Sequence, residues 1–218
     1  MDTTKQSELR DCWTQLMREL GSPAPASEVV FAGLQARYSA SERHYHTLDH
    51  ILAVLEKVRE LGGTERETPA LLLAAWFHDV IYDSRASDNE ERSAAHARAV
   101  LQPLGVAEAI LDEMERLILL TKTHTPAKQD RAGQILVDAD LAILGAAEPD
   151  YDAYAQAIRR EYAWVEETAY RRGRAAVLER FLQRPRIYST DEMFARLESA
   201  ARRNLQREIA AGSQLGAS

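Results

Sequence analysis

Apolar residues recur at intervals of three and four along almost the whole chain, which is the spacing of amphipathic helices. Near the N-terminus, Leu9, Trp13, Leu16 and Leu20 fall on one helical face in this way. No run shows the alternation of apolar and polar residues that is typical of strands. The predicted helices run at about 4–20, 27–38, 47–61, 69–79, 89–102, 106–121, 131–144, 151–172, 174–183 and 190–211. The pattern therefore predicts an all-α protein.

Residues that start or stop helices predict several of these ends. Ser27 is a predicted N-cap, because a serine side chain can accept a hydrogen bond from the first turn. Gly62 and Gly63 form a predicted stop for the third helix, and Gly173 for the helix that begins near Tyr151. The last predicted helix is followed by small and polar residues at 212–218, which we expect to be a flexible tail.

The predicted helix at about 69–79 is apolar almost all round, from Ala70 to Phe77. A helix of this kind belongs at the centre of a helical domain. His78 and Asp79 stand at its C-terminal end, where an ionisable pair is costly unless it is partnered or bound to a metal. The alternative is an exposed helix end, where polar residues are routine.

Composition adds limits on size, partners and compartment. The 218 residues are 45% hydrophobic and 28% charged, which suits one globular domain, predicted over 1–211. The net charge of −7 argues against binding extended nucleic acid. Cys12 is the single cysteine, so no intramolecular disulfide or thiolate metal cluster is expected. Without a signal-like N-terminus or an apolar run of membrane length, we expect a cytoplasmic protein with no membrane partner.

Three of the six histidines lie within residues 44–50, directly before an apolar helical pattern. His46 and His50 are four residues apart, so on a helix they would share one face and present two imidazoles to one small volume. The alternative is a solvated helix start in which these residues have a capping role.

Two carboxylates, Asp138 and Asp140, interrupt another apolar helical segment. Buried carboxylates need partners, and residues two apart on a helix point to different faces, so one of the two is expected at a site. The spacing leaves open which one, and a dipole or salt-bridge role for both is the alternative. Histidine and carboxylate ligands together would suit Mn, Fe, Co, Ni, Zn or Mg better than a thiolate-seeking ion.

Three segments, in this order along the chain, resemble the HD-domain superfamily of metal-dependent phosphohydrolases. They are Tyr45–His50, Phe77–Asp79 and Ala139–Leu141. The first and the last also resemble cyclic-nucleotide phosphodiesterases, which are distant relatives. Within the superfamily, the chain is most similar to a branch of small, poorly characterised bacterial proteins described as predicted HD phosphohydrolases. That likeness covers most of the chain and includes residues 77–83, 88–90 with 93–94, 138–145, 173–188 and 201–205.

The resemblance implies one compact HD-type helical bundle with additional C-terminal helices. It also implies a set of four metal ligands, with Asp140 favoured over Asp138. These ligands are His50, His78, Asp79 and Asp140. Asp79 would in addition be the carboxylate able to bridge to a second ion. One ion is expected. A second ion would need further histidine ligands between Asp79 and Asp140, and it is left open because His96 and His124 are the only histidines in that interval.

The implied activity is hydrolysis of a phosphomonoester, phosphodiester or phosphoanhydride of a small molecule, with a nucleotide as the favoured class. A metal-activated water would attack phosphorus, and His46 would protonate the leaving oxygen as general acid. A homodimer is compatible with the sequence. Two alternatives stay open: a di-iron HD-type oxygenase, and a non-catalytic helical sensor that binds a metal or ligand.

Six further residues are candidates for binding the phosphate or the rest of a substrate. They are Arg43, Glu90, Lys122, His124, Arg159 and Tyr162. Arginine suits bidentate phosphate contacts and lysine offers a point charge. The alternative for each charged residue is an ordinary solvated surface position, and Glu90 could simply complement a helix dipole.

Overall fold

A computed structural model describes residues 3–62 and 69–214 of the protein. Within these two ranges it contains ten α-helices and no strand, which confirms the predicted all-α class. The chain divides into two compact units, residues 1–139 and 140–218. One domain over 1–211 stays a prediction. Of the predicted flexible tail, residues 215–218 lie outside the described ranges, and the last helix continues through Gln214.

The first unit is built from seven helices, the last of which ends one residue beyond it. They are α1 (Thr3–Glu19), α2 (Ala24–Tyr38), α3 (Leu48–Gly62), α4 (Pro69–Phe77), α5 (Asn89–Leu101), α6 (Glu108–Thr121) and α7 (Arg131–Asp140). A short 3-10 helix, Gln102–Leu104, connects α5 to α6. Helix α3 is described as far as Gly62, and the stop predicted at Gly62 and Gly63 stays a prediction because Gly63 lies outside the described residues.

Helix α4 is the centre of this unit, as its sequence predicts. Every residue of α4 except Pro69 and Leu72 is buried. The ring of Trp76 packs edge-on against Trp13 of α1, with 5.6 Å between ring centroids, and Phe31 of α2 lies 6.1 Å from it. The Trp13 indole donates a hydrogen bond of 2.9 Å to a backbone carbonyl of α2. Aromatic burial therefore fixes α1 and α2 against α4.

Several predicted helix ends in this unit are wrong. Helix α2 begins at Ala24 with Pro23 as its N-cap, and Ser27 is buried inside it. The Ser27 hydroxyl donates to the carbonyl of Ala24 at 3.0 Å, so it bonds the helix backbone instead of capping it. Pro25 in the first turn suits the start of this helix, because it has no N–H that needs a helical partner. Helix α4 ends at Phe77, before His78 and Asp79.

The second unit contains a 3-10 helix, Leu141–Gly145, followed by three α-helices. They are α8 (Glu148–Glu161), α9 (Glu167–Leu182) and α10 (Asp191–Gln214). The 3-10 segment replaces the last turn of the helix predicted at about 131–144. It is held by Asn204, whose side-chain amide donates to the carbonyls of Leu144 and Ala146 at 2.9 and 3.0 Å.

The single long helix predicted from Tyr151 to about 172 is wrong, because the chain breaks between α8 and α9. The Glu166 carboxylate accepts hydrogen bonds from two amides in the first turn of α9 and caps it. Arg159 donates to the carbonyls of Tyr162 and Val165, which satisfies backbone groups in the break. Gly173 lies inside α9 and stops no helix.

Candidate metal centre

Three helix ends bring together the four residues that were predicted as metal ligands. His50 lies in the first turn of α3, and Asp140 is the last residue of α7. His78 and Asp79 form a turn directly after α4, in which the His78 amide still donates to the carbonyl of Ala74 at 2.9 Å. Loop geometry at the end of a buried helix therefore presents both side chains to the interior.

One potential ligand atom from each of His50, His78, Asp79 and Asp140 lies within 4.8 Å of the others. The Nε2 atoms of the two histidines are 3.3 Å apart. Asp79 Oδ2 is 3.5 Å from His50 Nε2 and 3.2 Å from His78 Nε2. Both histidine side chains are almost fully buried, at 3% and 1% exposure. This buried group could hold a metal ion.

The spacing within the group fits a transition metal or zinc. Bonds from nitrogen or oxygen ligands to such ions are about 2.0–2.2 Å long, so neighbouring ligands stand about 3.0–3.5 Å apart. The three distances among His50, His78 and Asp79 fall in that interval. Two imidazoles and two carboxylates form a mixed nitrogen and oxygen set, which also suits these metals.

The orientation of His78 supports the same reading. Its Nδ1 lies 3.0 Å from the carbonyl oxygen of Ala75, inside α4. A carbonyl can only accept, so Nδ1 carries the proton and the lone pair of Nε2 faces His50 and Asp79. A backbone carbonyl behind a ligating histidine is the usual way in which its tautomer and ring orientation are fixed.

The carboxyl group of Asp79 is ionised at neutral pH. Burial by itself raises its pKa, but interactions with the imidazoles of His78 and His46, and then of His50, lower that pKa well below the usual value. A carboxylate surrounded by imidazoles in this way is available as a metal ligand without first losing a proton.

His46 lies beside this group and outside it. Helix α3 begins at Leu48, so His46 stands on the bend before the helix. The helical face that His46 and His50 were predicted to share is therefore wrong. Its Nε2 is 3.9 Å from Asp79 Oδ2, and its ring stacks on Tyr82 with 4.0 Å between centroids. His46 is thus held at the edge of the group, with 17% of its side chain exposed.

The structure also distinguishes the two aspartates of α7. Asp140 belongs to the group of four, whereas Asp138 does not and is fully buried. Residues two apart on a helix diverge, which agrees with the expectation that one of them reaches the site. His96, a candidate for a second ion, lies half-buried on α5, where burial first and Arg37 second lower its pKa.

Arg43 is turned into the protein. Its guanidinium donates to the carbonyls of His46 and Asp79, at 3.0 and 2.7 Å, and to that of Val80, at 3.0 Å. The cation also lies over the ring of Tyr82, 5.7 Å from its centroid. Its predicted contact with phosphate stays a prediction, while its observed partners are backbone oxygens of the site itself.

The other predicted substrate residues of the first unit lie in α5 or just after α6. Lys122, after α6, forms an ion pair with Glu91 and donates to the carbonyl of Ser87 at 2.9 Å. Glu90 lies in the first turn of α5, half-buried. His124 adopts a left-handed backbone conformation, with φ 49°, just past the end of α6. Their contact with a substrate stays a prediction.

Arg159 and Tyr162 belong to the second unit. The Arg159 guanidinium spans the break between α8 and α9, pairs with Glu167 at 2.9 Å and lies over the ring of Tyr170. Tyr162 packs near the rings of Trp164 and Tyr170. These contacts give Arg159 a structural task that helical spacing did not predict, and the substrate role of both residues stays a prediction.

Three aromatic residues lie around the site, and none of them was predicted as a site residue. Tyr45 lies 4.8 Å from His50, ring to ring, and Tyr82 covers His46. Tyr38 donates from its hydroxyl to the carbonyl of Trp76 at 2.8 Å. Burial first, and the charge of Asp79 second, raise the pKa of Tyr38 well above its usual value, so it stays a neutral donor. Tyr45 and Tyr82 fall within segments that resemble HD-domain proteins, whereas no sequence signal linked Tyr38 to the site.

Comparisons with known proteins leave the site to be interpreted from its own chemistry. Among the described residues, no helix is both long and apolar enough to cross a membrane. No protein-family model, curated protein or solved structure matches the chain.

Proposed function

We propose that this protein is a metal-dependent phosphohydrolase that acts on a phosphate ester or anhydride of a small molecule, with a nucleotide as the favoured class. The observation that carries the proposal is the convergence of His50, His78, Asp79 and Asp140, whose ligand atoms lie within 4.8 Å, next to His46. A mixed nitrogen and oxygen centre beside a partly exposed imidazole suits metal-assisted phosphoryl transfer to water.

In this proposal the two buried histidines and the partly buried Asp79 and Asp140 would hold the ion. Such an ion would neutralise charge on the phosphoryl oxygens and activate the attacking water. The carbonyl of Ala75 holds His78 in the tautomer whose Nε2 can act as a ligand. Asp79 contributes an ionised carboxylate. These residues keep the ligand atoms in place before substrate arrives, which lowers the cost of organising the site.

His46 would act as the general acid. During hydrolysis the water oxygen forms a new bond to phosphorus while the bond from phosphorus to the leaving oxygen breaks. A proton on His46 Nε2 would pass to that leaving oxygen and prevent a full alkoxide from forming. Two observations support this role: Nε2 points towards the ligand group, 3.9 Å from Asp79 Oδ2, and Tyr82 stacks on the ring and limits its rotation.

The experiment that tests the proposal begins with elemental analysis of protein purified without chelator. Hydrolysis is then assayed with added Mn, Mg, Co or Ni on p-nitrophenyl phosphate, bis-(p-nitrophenyl) phosphate and a set of nucleotides. We expect His78→Ala and Asp79→Ala to lose both the bound metal and the activity. Asp88→Ala removes an exposed acid at the start of α5 and should retain both.

The outcomes separate the proposal from its alternatives. Full activity in metal-replete Asp79→Ala would show that the proposed mechanism is wrong. Two irons per chain would favour an oxygenase. Stoichiometric metal without turnover of any phosphate compound would favour a sensor.

A further inference from the structure

Arg43 joins the two loops that carry the candidate centre. One loop connects α2 to α3 and contains His46, and the other follows α4 and contains Asp79. The Arg43 guanidinium donates through Nη1 to the carbonyls of His46 and Asp79, and through Nη2 to that of Val80. The residue is only 8% exposed. A single buried side chain therefore fixes backbone from two segments more than thirty residues apart.

The chemistry of the guanidinium explains why arginine is suited to this position. Its planar fork offers several N–H donors in fixed directions, so one group can reach three carbonyls at once. A lysine at the same place is a point charge with rotatable donors and cannot reproduce that geometry. The ring of Tyr38 lies 5.0 Å from the guanidinium and that of Tyr82 lies 5.7 Å away, so aromatic faces enclose the cation.

The contacts of Arg43 continue to the reactive side chains. Tyr82, which lies near the guanidinium, stacks on His46 at 4.0 Å. The carbonyl that accepts the shortest of the three hydrogen bonds, at 2.7 Å, belongs to Asp79 itself. The same buried cation therefore contacts the backbone of both His46 and Asp79.

We propose that Arg43 is a positioning residue of the metal centre, which sets the separation of His46 from Asp79 and holds Asp79 in register with His50 and His78. The inference rests on the proposed function for its catalytic consequence. It assigns Arg43 a task different from direct contact with phosphate, because three of its donor interactions are made with backbone oxygens of the site.

The test compares Arg43→Lys with the wild-type protein in two measurements that need no turnover. The first is binding of Co²⁺, by titration calorimetry and by the visible spectrum of the bound ion, which reports ligand geometry. Loss of a residue that orients metal ligands typically weakens metal binding about 10- to 100-fold, and we expect that loss together with a changed spectrum. The second is hydrogen exchange of the metal-free protein, which should become faster in residues 44–47 and 79–81 and stay unchanged in α6.

Arg98→Lys is the matched control. The Arg98 guanidinium also has three partners, the carboxylates of Glu108, Asp112 and Glu115, but these tie α5 to α6. The Arg98→Lys protein should have lower thermal stability but bind Co²⁺ with wild-type affinity and the wild-type spectrum. If Arg43→Lys does not fold, Arg43→Gln, which keeps two donors without the charge, is measured in the same way. Failure of both to fold would overturn the inference, since Arg43 would then be needed for the whole fold.

The results also distinguish this inference from the proposed function. Wild-type affinity and spectrum for Co²⁺ in folded Arg43→Lys would overturn the positioning role while leaving the phosphohydrolase proposal in place. A wild-type protein that binds none of Mn²⁺, Fe²⁺, Co²⁺, Ni²⁺, Zn²⁺ and Mg²⁺ would refute the proposed function. In that case unchanged exchange at 44–47 and 79–81 would overturn the positioning role as well, and faster exchange there would support it.

Discussion

Replacement of His46 by asparagine should separate metal binding from catalysis. His46 lies outside the group of four ligands, and its Nε2 is 3.9 Å from Asp79 Oδ2, so the substitution removes no ligand atom. We therefore expect the metal content of His46→Asn to equal that of the wild-type protein. The rate should nevertheless fall, because the leaving oxygen would no longer receive a proton from the imidazole.

The size of that fall follows from the role. General acids contribute typically about 100- to 10,000-fold, which corresponds to about 2.7–5.4 kcal/mol of barrier at 1.36 kcal/mol per tenfold. The loss should depend on the leaving group, since an alkoxide needs the proton and p-nitrophenolate does not. We expect a loss within that range for an alkyl phosphate ester and a loss below about tenfold for the p-nitrophenyl ester.

The assay measures kcat with both esters at saturating Mn²⁺, beside the metal content of each sample. Tyr82→Leu serves as a control for ring position, because it removes the stacking partner of His46 and keeps the imidazole. It should lower the rate less than His46→Asn does. Equal losses of His46→Asn for the two leaving groups, or loss of the metal itself, would refute the assignment of His46 as general acid.

Three further predictions concern the first unit. Gly133→Ala should destabilise the protein by about 1–3 kcal/mol in urea unfolding, because its new Cβ would overlap the Asp130 carboxylate at the start of α7. In the control Gly33→Ala the new Cβ meets nothing within 4 Å, so the free energy of unfolding should rise by about 0.4–1 kcal/mol. The pKa of Asp130 is lowered mainly by Arg116, so the stabilising contribution of this ion pair is fully present above the ordinary aspartate pKa and is lost as pH falls through the lowered value. Asp130→Asn should therefore reduce the fall of the urea midpoint below about pH 4. A pH dependence equal to that of the wild-type protein would contradict this. His96→Gln should leave the number of bound ions per chain unchanged in elemental analysis, and loss of an ion would mean that a second site includes it.

Helical periodicity predicted most of the elements because it is a local property of the sequence. The apolar run of α4 indicated a central helix, and its burial follows from having no polar face to turn towards solvent. Periodicity failed at the break between α8 and α9, where apolar spacing continues but Glu166 and Arg159 bind backbone groups. Such competition between side chains and the helical ladder depends on which partner is within reach, and spacing alone does not show it.

The four candidate ligands could also be identified before the structure, from ionisable residues in apolar helices and from the resemblance to HD-domain proteins. Spacing alone did not show which of Asp138 and Asp140 is the ligand, since either face of α7 could meet the histidines. The direction in which α7 packs places Asp140 in the group and buries Asp138 elsewhere. His46 was expected on the same helical face as His50, yet α3 begins too late for that.

The sequence by itself determined the helical class, the central position of α4 and the residues able to ligate a metal, because these depend on periodicity, hydrophobicity and side-chain chemistry. Only the tertiary structure decided which of those groups meet and what supports them. Arg43 illustrates the difference: its charge and position in the chain made it a candidate for phosphate contact, with an ordinary solvated position as the alternative. Folding buries its guanidinium against carbonyls of Asp79 and Val80, because two loops distant in sequence leave backbone acceptors there that need a donor.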